Sequence, residues 1–363
     1  MRLVIEKRIE EFPRWFPAAV SLGAVVIAFV ISGIILRFLG GEPIKVLTFF
    51  FRATFGSWGV FSDTLVKAIP LIIVGVACTV AFKMGLWNIG AEGQLYMGAF
   101  ASSAVVLIPL VSEETPRFIV ITLMLIFGVA GGALYGFIPG YLKARFKVNE
   151  IITTLMLNYV AIQWNNYWIF GRWSDGGFQM TKTFARNAWL PRLADYAREI
   201  RAFSGITLHL GLVFAIVAAF GIWWVLERSR WGYEIKLVGD NPEAARYAGI
   251  NIRRNMILVM MLSGALAGLA GMTEISGVVH RLQESFSPGY GFTGIIVAWL
   301  AKLNPILVIP VSILFGALIV AGREIQPSGL SQMLQGFILF MLISSDVLLR
   351  YRIRIVRTNQ ATA

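Results

Sequence analysis

The chain has 363 residues, of which 57% are hydrophobic and only 14% are charged. Soluble domains carry about 25% charged residues, and the mean hydropathy of +0.72 is typical of a protein embedded in lipid. The net charge of +12 lies in short segments beside apolar runs, without the mixed basic and aromatic surface of a nucleic-acid-binding protein. The one cysteine, Cys78, cannot form an internal disulfide. We therefore expect a polytopic membrane protein.

Apolar runs long enough to span a hydrocarbon core of about 30 Å recur along the whole chain. The ten candidate spans are 18–38, 64–82, 95–112, 118–142, 150–170, 205–227, 255–275, 291–302, 305–321 and 331–349. The span 291–302 is too short to cross alone, so we expect a re-entrant element or a broken hairpin with the next span. Residues 43–61 contain Lys45 and Arg52 and are expected to be interfacial or re-entrant rather than spanning. The sequence predicts one all-α membrane domain, 1–363, with about ten transmembrane helices.

The orientation follows from the basic residues near the two termini. Ten crossings place both termini on one side, and Lys and Arg collect on the cytoplasmic side of membrane proteins. We therefore expect both tails and the connection 228–254 in the cytoplasm. The apolar run 18–36 is longer than a signal-peptide core and has no convincing cleavage site, so it is expected to be an uncleaved first span. Lys67 lies inside the second span.

Two regions share one hydropathy pattern, an apolar helix followed by a glycine-rich polar interruption and a second apolar run. They are 64–112 and 255–302. The predicted topology orients them in opposite directions, which indicates a possible inverted repeat. A separate glycine stripe at four-residue spacing, from Gly128 to Gly140, is expected to let a neighbouring helix backbone approach closely, as are Gly264 and Gly268.

Polar residues inside or beside apolar spans are costly in lipid and therefore mark a pathway or a partner. The first group is Asn88, Glu92 and Gln94, in the interruption after the second span; the alternative is an ordinary hairpin. In the fifth span, Asn158 is a pathway candidate, and its alternative role is helix packing.

The aromatic and amide side chains around Asn158 are expected either to stack and hydrogen-bond a planar or polyhydroxyl solute or to form an interfacial belt. A third group lies near the short eighth span. Glu284, Phe286 and Tyr290 are the pathway candidates there, with Glu274 nearby. The two aromatic residues of this group could also belong to the belt at the membrane interface.

Residues 231–250 form a polar segment between two long apolar runs. Asp240 and Asn241 can cap a helix, Pro242 suits its first position, and Gly249 suits a left-handed end. The alanines between them predict a short helix with a small, exposed face. No nucleotide-binding loop, metal-ligand spacing or catalytic motif occurs in the chain, so an enzyme is not expected and no cofactor is assigned to it.

Four stretches carry a family resemblance: WGYEIKLVGDNPEAARYAGI, SGALAGLAG, MGLWNIGAEGQ and KVNEIITTLMLNY. They resemble the permease subunits of bacterial ABC importers in the branched-chain amino acid, ribose and simple-sugar superfamily, and most of all its nucleoside or simple-sugar branch. The resemblance covers roughly 60–350. It implies a type II importer fold in a bacterial or archaeal cell membrane, with a nucleoside or simple sugar as substrate.

The resemblance also implies partners. They are two cytoplasmic ATPase subunits that use ATP and Mg, a second permease that is a homologue or another copy of this chain, and an external solute-binding protein. The segment that docks on the ATPase would be the coupling helix. Its expected residues are Gly239, Asp240, Asn241, Pro242, Glu243, Ala244, Ala245, Arg246, Tyr247, Ala248 and Gly249.

Two alternatives remain at this point. An ion-coupled secondary transporter would also have broken helices and inverted repeats, and it would need a buried carboxylate such as Glu92 or Glu274. A membrane enzyme acting on lipid-linked substrates would need paired acids or a metal site. The capped polar segment discriminates among them, because only the importer needs an ATPase-docking helix.

Overall fold

The computed structural model describes residues 2–7, 13, 16–38, 40, 42–45, 48, 51–52, 56–108, 110–112, 114–324 and 329–356. The chain divides into two compact units. The first combines Met1–Phe51 with Ala321–Ala363, and the second is Arg52–Val320. The interfacial stretch expected at 43–61 lies only partly within the described residues.

The first unit joins the two ends of the chain. Helix α1, Phe16–Phe38, packs against the last helix, Leu330–Arg350. Strand β1, Arg2–Lys7, pairs antiparallel with β2, Tyr351–Val356. The hydropathy analysis did not predict these strands because both segments are short and basic. The alternation of polar and apolar residues in YRIRIV is nevertheless typical of a strand. The rest of the described fold is helical, as expected.

The second unit is a helical bundle. Its helices are α2 Trp58–Lys83, α3 Ala91–Leu107, α4 Arg117–Phe146, α5 Glu150–Phe170, α6 Gly211–Arg228, α7 Arg230–Asp240, α8 Pro242–Tyr247, α9 Ile252–Glu274 and α10 Tyr290–Leu300. Helix α11, Val308–Glu324, leads into the first unit, where Leu330–Arg350 is α12. A π turn, Ile275–Val279, extends α9. Three 3₁₀ turns, Arg186–Ala188, Leu193–Tyr196 and Arg201–Phe203, lie in the connection between α5 and α6.

Fewer helices than expected have the length and composition of a full span. Among the described residues four qualify, namely α2, α4, α6 and α9 with its π turn, and three shorter apolar helices accompany them. Helix α3 has only 17 residues. Helix α5 has 21 residues, but amide side chains lower its hydropathy. Helices α10 and α11 are separate and are joined by a turn in which Asn304 caps Ile306.

The core of the second unit is built around α2 and α9. Apart from Lys67, the long middle part of helix α2 is mostly apolar on all sides, and nearly all of it is buried, as expected for a helix surrounded by others. Helices α4 and α9 meet along their glycines: a Cβ on Gly132 would lie 2.2 Å from the carbonyl oxygen of Gly264, and one on Gly268 would lie 2.3 Å from that of Gly128. The predicted close-packing role of the glycine stripes is confirmed.

Candidate functional site

The two short helices α3 and α10 begin in contact with each other inside the bundle. Glu92, in the first turn of α3, accepts a hydrogen bond at Oε2 from the backbone N–H of Gly291 in the first turn of α10, at 2.5 Å. The Ser287 side chain also hydrogen-bonds Glu92. A helix N-terminus favours a carboxylate because its first N–H groups lack partners. A Cβ on Gly291 would lie 2.2 Å from the Glu92 nitrogen, so this contact requires glycine.

From this meeting point the two helices run in opposite directions. The long helices α2 and α9 are antiparallel, because Lys67 pairs with Glu274 whereas Ala77 accepts from Ser263. Helix α3 runs alongside α9 in the same direction. Helix α10 runs alongside α2 in the same direction, and its Gly294 lies against Val74 of α2. Each long helix is therefore followed by a break and by a short helix that runs along the other long helix. These directions match those expected for the regions 64–112 and 255–302.

A buried ion pair joins α2, α9 and α10. Lys67 Nζ lies 2.6 Å from Glu274 Oε1, and the two side chains are only 6% and 1% exposed. The Tyr290 hydroxyl donates to the same carboxylate oxygen at 3.3 Å. Glu274 Oε2 has no hydrogen-bond partner among the described residues. Because desolvating two charges is costly, removing either partner alone leaves an uncompensated charge in the core.

Glu274 could be singled out from the sequence, whereas no partner for Lys67 was predicted. The two residues are 207 positions apart, so no local spacing could have predicted the pair. The available signal was the presence of a single lysine inside a long apolar span, which requires a counter-charge in lipid.

Asn88, Gln94 and Asn158 hold the break between α2 and α3 together. Asn88 Nδ2 donates to Gln94 Oε1 at 2.8 Å and to Ser263 Oγ at 2.9 Å. Asn158 Oδ1 accepts from Gly93 N at 2.8 Å. All three amide side chains are buried, so this interruption is not an ordinary exposed hairpin. In this conformation their hydrogen bonds fix the start of α3, and their role in the pathway stays a prediction.

The third predicted group is divided between two places. Phe286 is buried against Tyr96, with ring centroids 4.5 Å apart, and Tyr290 is fully buried at the ion pair. Neither ring lies at a lipid interface, so the belt alternative does not apply to them. Glu284 is half-buried, and its backbone N–H donates to the Gln179 carbonyl at 3.2 Å. It therefore lies beside the α5–α6 connection.

The α5–α6 connection is anchored to the end of α9 through a second polar cluster. Arg192 donates to the Gly277 carbonyl at 2.6 Å and to His280 Nε2 at 2.5 Å. The Trp189 ring stacks on the His280 ring with centroids 3.8 Å apart. Burial, together with the Arg192 charge, lowers the pKa of His209 to about 3 and that of His280 to about 4. The structure thus brings two histidines that are distant in sequence into one buried cluster, in which both imidazoles are neutral beside the charged Arg192.

The predicted short helix in the polar segment is present as α8. It begins at Pro242, where Asn241 Oδ1 accepts from the backbone N–H groups of Glu243 and Ala244 at 3.1 and 3.0 Å. Gly249 follows the helix with a φ of +74°, so its left-handed conformation is confirmed. Asp240 does not cap α8, because it is the last residue of α7.

The exposed face of α8 differs from the expected alanine face. Ala245 is fully buried, whereas Tyr247 is 94% exposed. Glu243 and Arg246 are also exposed. The small Ala245 side chain points inward and lets α8 lie close to the rest of the protein. A surface contact through Ala245 was therefore the wrong expectation, whereas Ala248, which follows α8, is exposed. The surface that α8 itself presents is mainly polar and aromatic.

Helix α7 fastens α8 to the two central helices. Trp231 Nε1 donates to Asn255 Oδ1 at 3.0 Å, and Asn255 Nδ2 donates to Glu234 Oε2 at 2.9 Å, which ties α7 to the first turn of α9. A Cβ on Gly239 would lie 2.2 Å from the carbonyl oxygen of Lys83, the last residue of α2. The sequence analysis did not predict α7. Its buried residues Gly232, Ile235 and Val238 have the three-residue spacing that indicates one helical face.

Comparison with known proteins decides the family. Residues 60–343 match the family of permease components of the branched-chain amino acid transport system. This match includes both short helices, the buried ion pair and the α7–α8 segment. The chain belongs to this permease family.

Named relatives of this permease carry different solutes. This permease is 34% identical to a glucose ABC transporter permease protein of Haloferax volcanii, over 97% of this chain and 94% of the relative. It is 35% identical to a guanosine ABC transporter permease protein of Bacillus subtilis, over 82% of this chain and 84% of the relative. A nucleoside ABC transporter permease protein of Lactococcus lactis is also 35% identical, over 82% of each chain. The permease is thus a multi-pass membrane transport subunit rather than an enzyme.

Proposed function

We propose that this permease is the membrane subunit of an ABC importer and that it carries an uncharged sugar or nucleoside across the cell membrane. The names of its relatives supply the substrate classes. The structural observation that supports coupling to an ATPase is α8. It is a capped and exposed helix that α7 fastens to the last residue of α2 and the first turn of α9.

In the proposed cycle, ATP hydrolysis acts on the pathway through the contacts of α8 and α7. Closure of the ATPase pair moves the docked α8, and α7 passes this displacement to the adjoining ends of α2 and α9. Those two helices also carry the Lys67–Glu274 pair and flank the junction of α3 with α10. Rigid-body tilting around that junction would open the pathway alternately on the two sides. The permease performs no covalent chemistry in this cycle.

The proposed assembly has partners on both sides of the membrane. Two cytoplasmic ATPase subunits dock on the permeases and use ATP and Mg, and a solute-binding protein delivers the solute from outside. A second permease, preferably a homologue rather than another copy, completes the pathway. Both termini and the segment 228–254 are cytoplasmic in this scheme. The fold is that of a type II importer, with about ten spans and inverted halves built on α2–α3 and α9–α10.

The contacts of the two buried carboxylates argue against the ion-coupled alternative. An ion-coupled carrier needs a carboxylate that can bind and release its ion during transport. Glu274 is paired with Lys67 at 2.6 Å, and Glu92 is held by the backbone N–H of Gly291. Both carboxylates therefore have structural partners. In addition, an ion-coupled carrier has no need for the exposed helix α8.

Co-purification tests the assembly. The tagged permease is extracted from its native membrane in lipid nanodiscs, and the co-purifying chains are identified by mass spectrometry. We expect an ATPase subunit in stoichiometric amount and ATP hydrolysis by the isolated complex. A permease that is recovered folded, and without any ATPase under conditions that retain other importer complexes, would overturn the proposed function.

A further inference from the structure

Helix α5 differs from the other long helices of the second unit. Its 21 residues span about 31 Å at 1.5 Å per residue, enough to cross the hydrocarbon core. It is nevertheless absent from the four described helices that are apolar enough to do so. The surroundings of α5 in the assembled protein must therefore accommodate its polar side chains.

The exposed faces of α5 and α6 show the difference. Between Val213 and Trp224, every exposed side chain of α6 is apolar, as expected against lipid. Helix α5 instead exposes Tyr159, Gln163 and Tyr167, with Asn166 half-exposed beside them. At 100° per residue these four positions fall within roughly 100° of one another around the helix. The same arc also carries the exposed apolar residues Ile152, Met156 and Phe170 nearer the two ends of the helix. The polar part of this side of α5 is therefore its stretch from 159 to 167, which we call the α5 amide face.

The depth of the α5 amide face makes lipid an unfavourable neighbour. Gln163 lies about 20 Å along α5 from Glu150 and about 10 Å from Phe170, a position that lies within the hydrocarbon core of a helix that spans it. Asn166 Nδ2 donates to Gln163 Oε1 at 3.1 Å, which uses only part of the hydrogen-bonding capacity of the two amides. Amide groups without partners are costly in hydrocarbon, so polar residues at this depth face a protein or a water-filled cavity.

The chemistry of the face indicates what passes along it. From Ile151 to Phe170, α5 contains no charged residue. Amide groups both donate and accept hydrogen bonds, which suits hydroxyl groups and the edges of nucleobases. The Tyr159 and Tyr167 rings add flat surfaces against which a sugar or a base can lie. A zwitterionic or anionic solute would find no counter-charge on this helix.

We infer that the α5 amide face lines the aqueous pathway and that Gln163 and Asn166 hydrogen-bond an uncharged polyhydroxyl solute as it passes. This inference rests on the proposed function for the identity of the cargo. It places the solute on α5 rather than on Asn88, Gln94 or Asn158, whose amides already hydrogen-bond within the bundle.

Cysteine labelling tests the inference. Because Cys78 is the only cysteine, a Cys78→Ala background allows single cysteines at Gln163→Cys and Asn166→Cys. Val217→Cys on the apolar face of α6, where Val217 is 64% exposed, is the matched control. The intact complex in native membranes is treated with a charged methanethiosulfonate, which reacts with thiols in water. We expect the two α5 cysteines to react at least tenfold faster than the control.

Two results would overturn the inference. Reaction at 163 and 166 no faster than at 217 would place the α5 amide face against lipid or a second subunit. Rapid reaction that neither guanosine nor glucose slows would remove solute contact by Gln163 and Asn166. Labelling does not depend on ATP hydrolysis. Rapid, solute-protected labelling in a permease that assembles with no ATPase would therefore contradict the proposed function and leave the pathway assignment intact.

Discussion

Single side chains hold the central helices of this permease together. Lys67 and Glu274 pair across α2 and α9, and Tyr290 adds a hydrogen bond from α10. A buried pair is a weak source of net stability, because its attraction must offset the desolvation of both charges. Its structural effect is clearer, since a charge that loses its partner in the core is strongly unfavourable. The pair therefore fixes which faces of the helices meet.

Replacing one member of the pair tests this assignment. Lys67→Met and Glu274→Leu should each reduce the free energy of unfolding by about 3–5 kcal/mol, because each leaves one buried charge alone. The double variant should recover most of that loss, because no charge remains. Thermal unfolding midpoints in the same detergent measure all three. A double variant less stable than both single variants would show that the two residues do not act as a pair.

The buried His209 makes the stability of the permease depend on pH. Its pKa is about 3 in the folded protein, because burial and the Arg192 charge disfavour the cation, and about 6.5 in the unfolded chain. Between about pH 3 and about pH 6.5, His209 is therefore protonated in the unfolded chain and neutral in the folded protein. Stability is therefore fully present above about pH 6.5 and falls by about 1.4 kcal/mol per pH unit below it.

The variant His209→Gln should show a shallower loss of the unfolding midpoint between pH 7 and pH 5 than the unmodified permease. His280 lies in the same cluster with a pKa of about 4, so some pH dependence should remain. Identical slopes for the two proteins would mean that His209 does not titrate on unfolding.

For single helices, features set by neighbouring residues could be predicted from the sequence, whereas features set by contacts with distant residues could not. The start of α8 could be predicted because Asn241 and Pro242 act on the next few residues. The direction of Ala245 could not, because it depends on how α8 rests on the remainder of the chain. Likewise, the close approach of α4 and α9 follows from glycine spacing, whereas the contact of α3 with α10 joins Glu92 to Gly291, which is 199 residues away.

The exposed face of α8 carries the coupling prediction. Tyr247→Asp should abolish ATP-dependent transport with little change in thermal stability, because this side chain is 94% exposed and free to contact a partner. Ala245→Trp should instead lower the unfolding midpoint, because Ala245 is fully buried. Transport assays and thermal unfolding of both variants separate the two effects. Normal transport by Tyr247→Asp would remove this face from the docking surface.

The α4–α9 contact gives a second prediction for helices. Gly268→Val should prevent close packing, because its Cβ would lie 2.3 Å from the Gly128 carbonyl oxygen, and overpacking of this kind costs about 1–3 kcal/mol. Gly221→Val on α6 is the control, since a Cβ there meets no atom within 4 Å. The fraction of folded, monodisperse permease after extraction is the measurement. Equal yields of the two variants would contradict the assigned contact.

For the whole molecule, composition predicted a helical membrane protein, and the motif-bearing segments predicted its family. The number of crossings was harder to predict, because hydropathy assigns spans by apolar length alone. Helix α3 is short because its chain first forms the buried break that Asn88 and Gln94 stabilise, and α5 is polar on its exposed face. Helices that carry polar groups in this way deviate from the apolar pattern on which span prediction depends.

In the proposed cycle, ATP hydrolysis, transmitted through α8, drives the import of an uncharged solute. The most direct measurement is the uptake of labelled guanosine and glucose by proteoliposomes that contain the permease, its co-purified partners and the solute-binding protein. We predict saturable uptake of at least one solute that requires hydrolysable ATP and persists without an ion gradient. Uptake that needs an ion gradient and proceeds unchanged without ATP would contradict the account.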